Sequence, residues 1–178
     1  MQDVITWVEK ADALLSFWTV AHNATWNSSN GLINGGQMIG GAILLTFVNE
    51  CALKALLEKE GKEITGSLKI HDVYTLFKEL EPKTRTDASA IYAKLIQAEK
   101  DVRVHRKPVN DLACCLQNHA RTFTNWRYEI VNAGKFYHMP MIYAASSFLT
   151  LANPTRTYSV RSATSPVTEI LAGKIIRE

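Results

Sequence analysis

Cysteine, formal charge and long hydrophobic runs are all scarce in this chain. It has three cysteines in 178 residues, two of them adjacent, which does not fit a framework of disulfide bonds. Cys51 falls within an apolar segment, where a free cysteine usually behaves as a small hydrophobic residue. The histidines and cysteines also lack the spacing of a zinc site. We therefore expect a protein of the reducing cytoplasm without disulfides, metal ions or other cofactors.

Sequences that direct a protein to or across a membrane are also missing. Residues 1–10 contain acidic side chains and lack the apolar core of a signal peptide. The longest apolar run, residues 38–48, contains two glycines and a threonine and is too short to span a bilayer. We therefore predict no membrane segment and a cytoplasmic location.

The charge balance limits the classes of function. Charged residues make up 21% of the chain and the net charge is +3, which permits contact with nucleic acid but is well below the density of a dedicated binding protein. Hydrophobic residues at 47% are enough for a core, so global disorder is excluded. The length indicates one domain, which we assign to residues 1–153. An extension richer in Thr, Ser and Arg follows at 154–178.

The spacing of apolar residues predicts helices along most of the chain. No segment sustains an alternation of period two, and the one candidate, residues 158–160, is short. We expect a loop at 23–35, where Asn, Ser and Gly are concentrated, and a short last helix at 170–176. The fold class is therefore all-α, an antiparallel helical bundle of four to five main helices with a short C-terminal appendage. The predicted helices cover residues 3–23, 36–60, 71–80, 88–100, 108–131 and 140–151.

The second predicted helix is central, because apolar residues occupy nearly all of its circumference. Its one polar stripe comprises Thr46, Glu50, Lys54 and Glu58. Glu50 precedes Lys54 by four residues, the favourable orientation for an ion pair within a helix. Gly61 is the expected C-terminal cap.

A glycine-rich run occupies residues 31–36. It lacks the Gly-Lys-Ser/Thr ending of a phosphate-binding loop, and no predicted strand precedes it. Gly36 and Gly40 are more compatible with two helices that approach each other closely. We therefore expect no nucleotide-binding loop at this place.

Residues 49–80 contain the most specific pattern. An Ala- and Leu-rich helix ends in a charged loop, and a His-Asp-hydrophobic sequence opens the next helix. Over residues 36–132 the chain resembles the HEPN family of small helical domains (higher eukaryotes and prokaryotes nucleotide-binding). The resemblance implies a helical bundle that pairs as a homodimer through its late helices. It also implies RNA cleavage, nucleotide binding or docking to a partner protein, often in bacterial toxin–antitoxin or phage-defence systems. The matching residues are Glu50, Ala52, Leu53, Lys54, Ala55, Leu56 and Leu57, then His71, Asp72 and Val73.

The catalytic pair of the family is absent in its expected form. Catalytic members have an Arg followed, after four to six residues, by a His on the late helix, where the Arg binds the scissile phosphate and the His moves a proton. Here Arg121 is followed at the shortest permitted interval by Trp126, and Arg127 has no His until His138. The resemblance therefore implies a non-catalytic module that binds RNA, a nucleotide or a partner protein.

A stripe of hydrogen-bonding side chains lies on the predicted late helix at three- and four-residue spacing. Arg holds phosphate bidentately, Tyr stacks on a base, and Asn bonds a base edge. The stripe is thus a candidate ligand surface; alternatively it is a polar interface with another helix or a dimer partner. Its members are Asn118, Arg121, Asn125, Tyr128 and Asn132.

Several polar residues have a structural and a functional interpretation. Arg127 either pairs with Glu129 or Glu50 inside the protein, because a buried Arg needs a partner, or binds phosphate beside Arg121. We expect Glu50, Lys54 and Glu129 to be structural. We expect the pair His71-Asp72 to cap and orient the third helix.

Two alternative functions stay open. The first is a divergent, metal-independent endoribonuclease, with Arg121 or Arg127 as phosphate ligand and His119, His71 or His138 as the acid–base. The second is a purely structural or oligomerisation subunit, in which the late-helix stripe is buried between two copies.

Overall fold

A computed structural model describes residues 5–25, 30–100, 111–120, 122, 138–155, 157–160, 168–171 and 174–177. From residue 7 to residue 152 the regular structure of the described part is helical, which confirms the all-α prediction for the body of the protein. The α-helices are α1 (Trp7–Thr25), α2 (Gly31–Lys59), α3 (Val73–Glu79), α4 (Pro82–Lys100), α5 (Leu112–His119) and α6 (His138–Ala152), with a short 3₁₀ turn at Gly66–Leu68.

The helix ends follow from local sequence. Gly61 has a φ of 80°, and after it the Lys62 N–H donates to the Leu57 carbonyl at 2.9 Å. This left-handed residue closes α2 as predicted, because glycine adopts positive φ without a steric penalty. Aspartates begin two other helices: Asp72 accepts from the Thr75 N–H at 2.8 Å, and Asp111 accepts from the Cys114 N–H at 2.7 Å.

Several predicted boundaries were wrong, among them the start of the first helix, which is Trp7 and not residue 3. The loop expected at 23–35 is shorter, because α1 continues to Thr25 and α2 already begins at Gly31. The Asn30 side chain accepts from the Ile33 N–H at 3.4 Å, so this Asn-rich segment contains a helix cap as well as a connection. The fourth helix begins at Pro82 and not at residue 88, because proline ends the preceding helix yet fits the first turn of a new one. Residue 108, where the fifth helix was expected to begin, lies outside the described residues.

Helices α2 and α6 form the centre of the bundle. Residues 141–150 of α6 are all buried. The Asn49 side-chain amide donates to the Met141 carbonyl at 2.9 Å, and Lys59 Nζ donates to the Leu151 carbonyl at 2.7 Å. Both bonds join residues 92 positions apart, so α2 and α6 run in the same direction.

The hydrophobic core includes side chains from all six of these helices. Phe77 of α3 and Phe148 of α6 lie with their ring centroids 6.1 Å apart, a normal distance for an aromatic pair. Tyr92 of α4 is fully buried, and burial raises the pKa of its hydroxyl. Further core residues are Ala11, Leu15, Trp18, Leu45, Leu53, Leu56, Leu76, Leu112 and Leu116.

One helix of the described part is long and apolar enough to cross a membrane by length and composition. It covers 21 residues, Ile39–Lys59 of α2, and 72% of its apolar window is buried inside the protein. The apolar run at 38–48 is part of this longer helix, because the glycines and the threonine do not interrupt it. Here the segment serves as the core helix of the bundle.

The C-terminal extension contains a three-stranded antiparallel sheet of order β1-β2-β3. Its strands are β1 (Thr157–Val160), β2 (Thr168–Leu171) and β3 (Lys174–Arg177). The short last helix expected at 170–176 is therefore wrong. Leu171 pairs with Lys174, so two residues connect β2 to β3, which is the commonest length of a hairpin connection. Isoleucine and threonine favour strands here because their branched side chains suit a pleated surface.

Candidate functional site

Glu50 is a buried carboxylate on α2 with two charged or chargeable partners. Its Oε1 is 2.7 Å from Lys54 Nζ, and its Oε2 is 2.9 Å from His71 Nδ1. A buried carboxylate is costly unless such partners replace the lost water. The pair with Lys54 was expected from the spacing within α2, whereas the bond to His71 joins two separate elements.

The polar stripe of α2 faces inward for most of its length. Thr46, Glu50 and Lys54 are buried, and only Glu58 is exposed. Thr46 Oγ1 donates to the Ala42 carbonyl one turn earlier at 2.8 Å, which satisfies the hydroxyl within its own helix. The stripe is therefore an internal polar line and not the solvent-exposed side of a surface helix.

His71 directly precedes Asp72, the N-terminal cap of α3. Its side chain is 57% exposed although the carboxylate that binds it is buried. Its ring meets Phe47 edge to face, with centroids 6.2 Å apart. We assign the tautomer with the proton on Nδ1 from the carboxylate partner, which leaves Nε2 as the acceptor of the neutral ring.

Two lysines lie over the indole ring of Trp7. Lys10 Nζ is 4.3 Å and Lys54 Nζ is 5.0 Å from the ring centroid, distances typical of cation–π contacts. These contacts connect the start of α1 to the middle of α2. We use the term Glu50 cluster for the six residues Trp7, Lys10, Phe47, Glu50, Lys54 and His71.

The cluster contains one paired and one exposed ammonium group. Lys54 pairs with Glu50 inside the protein, whereas Lys10 is exposed and lies over the Trp7 ring. Lys10 is therefore the positive charge that an anion would meet at this surface. Cys51 is not a nucleophile here, because burial and the Glu50 charge raise the pKa of its thiol to about 11.

The other predicted site residues are not part of this cluster as described. Asn118 is exposed at the end of α5, and its amide nitrogen is 3.8 Å from Cys114 Sγ. His119 is buried, with Nδ1 3.3 Å from Thr122 Oγ1. The remaining candidates, and the side chain of His138, lie outside the described residues: Arg121, Asn125, Arg127, Tyr128, Glu129 and Asn132.

Sequence reasoning missed three members of the Glu50 cluster. Trp7 was taken as a core residue of the first helix, Phe47 as part of the apolar circumference of α2, and Lys10 was not singled out. The spacing within each helix indicated part of the cluster, since residues three positions apart are neighbours on a helix surface. Trp7 and Lys10 have this spacing, as do Phe47 and Glu50. The contact of α1 with α2 is tertiary, and no spacing indicates it.

No group of three His, Cys, Asp or Glu side chains that could hold a metal ion occurs within the described ranges. The cluster's own donors are a carboxylate, an imidazole and two ammonium groups, and the ammonium groups repel a cation. Comparison of the chain with family models, with curated proteins and with solved structures finds no match.

Proposed function

We propose that this protein is a non-catalytic HEPN-like module that binds the phosphate of an RNA or a nucleotide at the Glu50 cluster. One observation carries the proposal: the His71 ring is more than half exposed, while the carboxylate that orients it is buried and also bound by Lys54. The buried carboxylate restricts the rotation of the exposed His71 ring, so little side-chain freedom is lost when a ligand binds beside it.

Lys10 and the aromatic rings extend this binding surface. Lys10 is exposed and lies over Trp7, and Phe47 borders His71. The Lys10 ammonium group binds the phosphate, and the half-buried rings give apolar contact to a base or ribose.

Fluorescence anisotropy with labelled single-stranded RNA and with labelled ATP tests this proposal. His71→Asn keeps an N–H donor for Glu50 but removes the rest of the ring, and Lys10→Gln keeps size without charge. We expect each to weaken binding by about tenfold, the usual effect of one hydrogen bond to a charged group.

Lys94→Gln is the matched control, because Lys94 is equally exposed but lies on α4. The proposal would be contradicted if both cluster variants bound as tightly as the wild type. It would also be contradicted if the wild-type protein bound neither ligand at low salt. Binding that falls as salt rises is expected for phosphate contacts.

A metal-independent endoribonuclease is the second candidate, and the same histidine favours it. A general acid–base needs a side chain oriented by another group, and Glu50 holds His71 in that manner. Arg121 or Arg127 would then bind the scissile phosphate. Cleavage of end-labelled RNA in EDTA should be lost in His71→Asn and in Arg121→Ala. Undiminished cleavage by both, and by His119→Ala, would exclude this candidate.

A further inference from the structure

The exposed large hydrophobic side chains of the described residues are concentrated in the first two helices and the residues just before them. Phe17 is 67%, Val20 is 69% and Ile33 is 43% exposed, and Ile5 before α1 is exposed as well. Single exposed apolar residues are common on soluble proteins, whereas a local concentration of them marks an interaction surface.

The same part of the chain has no formal charge. Residues 13–49 contain no Asp, Glu, Lys or Arg, although charged residues usually make up roughly a quarter to a third of a protein surface. His22 is the one ionisable side chain in this stretch. It stacks on Trp18 with ring centroids 4.6 Å apart, and burial lowers its pKa, which favours the neutral ring.

The exposed residues form one stripe on each helix. On α1 the exposed residues Ala13, Phe17, Val20 and Ala24 follow at intervals of four, three and four, which places them on one side of the helix. The buried residues Ala11, Leu15 and Trp18 occupy the opposite side. The α1 stripe therefore points away from the core of its own chain.

The exposed stripe on α2 contains two glycines. Ile33, Gly36 and Gly40 are exposed at intervals of three and four. A Cβ atom built on either glycine meets no atom within 4 Å. The close helix contact expected at these glycines is thus not made within the described chain. We use the term hairpin face for the two stripes together, since α1 packs against α2.

We propose that the hairpin face binds a second copy of this chain across a two-fold axis. The exposed side chains of Phe17 and Val20 on one copy then pack into the open space at Gly36 and Gly40 of the other, and the reverse contact forms at the same time. A two-fold interface requires such self-complementarity, because each patch must fit its own copy.

Charge favours a second copy over other occupants. An uncharged face meets its own copy without like-charge repulsion, whereas a face with charges of one sign would repel it. A nucleic acid needs lysine or arginine, which residues 13–49 lack. The surface of an anionic membrane likewise attracts basic residues.

The area of the face fits a weak dimer. The stripe on α1 spans about 16 Å and the stripe on α2 about 10 Å at 1.5 Å per residue, and two adjacent helices are about 20 Å wide. This gives on the order of 400 Å² of accessible surface per copy, about half of the roughly 800 Å² of a standard interface. We therefore expect a reversible homodimer.

Sedimentation velocity of the full chain over a wide range of protein concentration tests this proposal. The expected result is a monomer–dimer equilibrium in the wild type. Phe17→Glu should raise the dissociation constant by about 100-fold, as for the truncation of a central interface residue, and Gly36→Glu on the neighbouring helix should have the same effect. Ala93→Glu, at an exposed position of α4, is the matched control and should leave the equilibrium unchanged. Circular dichroism checks that each variant is folded.

Three outcomes would overturn the proposal. A wild type that stays monomeric at every concentration leaves no interface to explain. A dimer that survives Phe17→Glu and Gly36→Glu uses another surface, such as the late helix. The protein could also stay monomeric and float with uncharged phosphatidylcholine vesicles. If Phe17→Glu abolishes this flotation, the face binds a lipid surface and not a second copy. Added salt should not weaken the dimer, in contrast to phosphate binding at the Glu50 cluster.

Discussion

The two halves of α2 show opposite relations between polarity and burial. In the second half the charged residues Glu50 and Lys54 are buried, whereas in the first half Ile33 is exposed. The hydrogen bonds to α6 begin at Asn49 and end at Lys59, so α6 accompanies the second half of the helix. The comparison teaches that neighbouring helices, more than side-chain polarity, decide which residues of α2 are buried.

The two halves also differ in what they need from a partner. Glu50 and Lys54 form an ion pair inside the chain, and His71 contacts the second oxygen of the carboxylate. The exposed apolar residues of the hairpin face have no such partner in the described chain and gain free energy only when another surface covers them. The buried charges of the second half are therefore satisfied within the chain. The exposed apolar residues of the first half are suited to association with another surface.

Two phenylalanines provide the sharpest test of this comparison. Phe148 is fully buried on α6 and Phe17 is exposed on α1. Phe148→Ala should lower the free energy of unfolding by about 4 kcal/mol, since it removes buried area and leaves a cavity. Phe17→Ala should change it by less than about 0.5 kcal/mol. Urea unfolding at protein concentrations where the chain is monomeric measures both, and similar losses in the two variants would contradict the assigned exposures.

Removal of one member of the buried ion pair is the next largest effect. Glu50→Ala leaves Lys54 buried without its carboxylate and should lower the free energy of unfolding by about 3 kcal/mol. The double variant Glu50→Leu with Lys54→Leu should recover most of this loss, because no buried charge remains.

The exposed ion pair of α4 is the control for that experiment. Lys83 Nζ and Asp87 Oδ2 are 2.6 Å apart at the same four-residue spacing, but water screens them. Asp87→Ala should therefore leave the urea midpoint unchanged. A double variant at Glu50 and Lys54 as unstable as Glu50→Ala would show that the buried pair is not the cause.

The cap of α3 gives a smaller effect. Asp72→Ala removes the acceptor of the Thr75 N–H and should lower the free energy of unfolding by about 1 kcal/mol. Asp72→Asn keeps an acceptor oxygen and should be close to wild type in urea unfolding. Because Asp72 also fixes the position of His71, Asp72→Ala should weaken phosphate binding more than Asp72→Asn does. Equal phosphate binding by the two variants would show that the helix cap does not affect the binding site.

The smallest expected effect is a pH dependence from His22. Burial lowers the pKa of His22 below its ordinary value of 6.5, so at acidic pH the unfolded chain takes up this proton more readily than the folded one. The free energy of unfolding should therefore fall as pH decreases below 6.5 and level off below the folded pKa. His22→Gln should reduce this slope in urea unfolding, and an unchanged slope would assign it to other groups.

Local features of the fold were predictable from the sequence. Gly61 and Asp72 were identified as helix caps because their backbone and side-chain preferences act within one turn. The Glu50–Lys54 pair was predictable from four-residue spacing. The sheet at 157–177 and the early starts of α2 and α4 were not predicted, because short segments of mixed composition satisfy more than one local pattern.

The sequence by itself determined the helical body, its caps and the central place of α2, because helical periodicity fixes which residues share a side of one helix. Only the tertiary structure decided the contact of His71 with Glu50, the parallel course of α2 and α6, and the exposure of Phe17 and of Gly36. Each of these depends on residues distant in sequence. Periodicity shows that a side of a helix is apolar, but a neighbouring helix must be present to bury it.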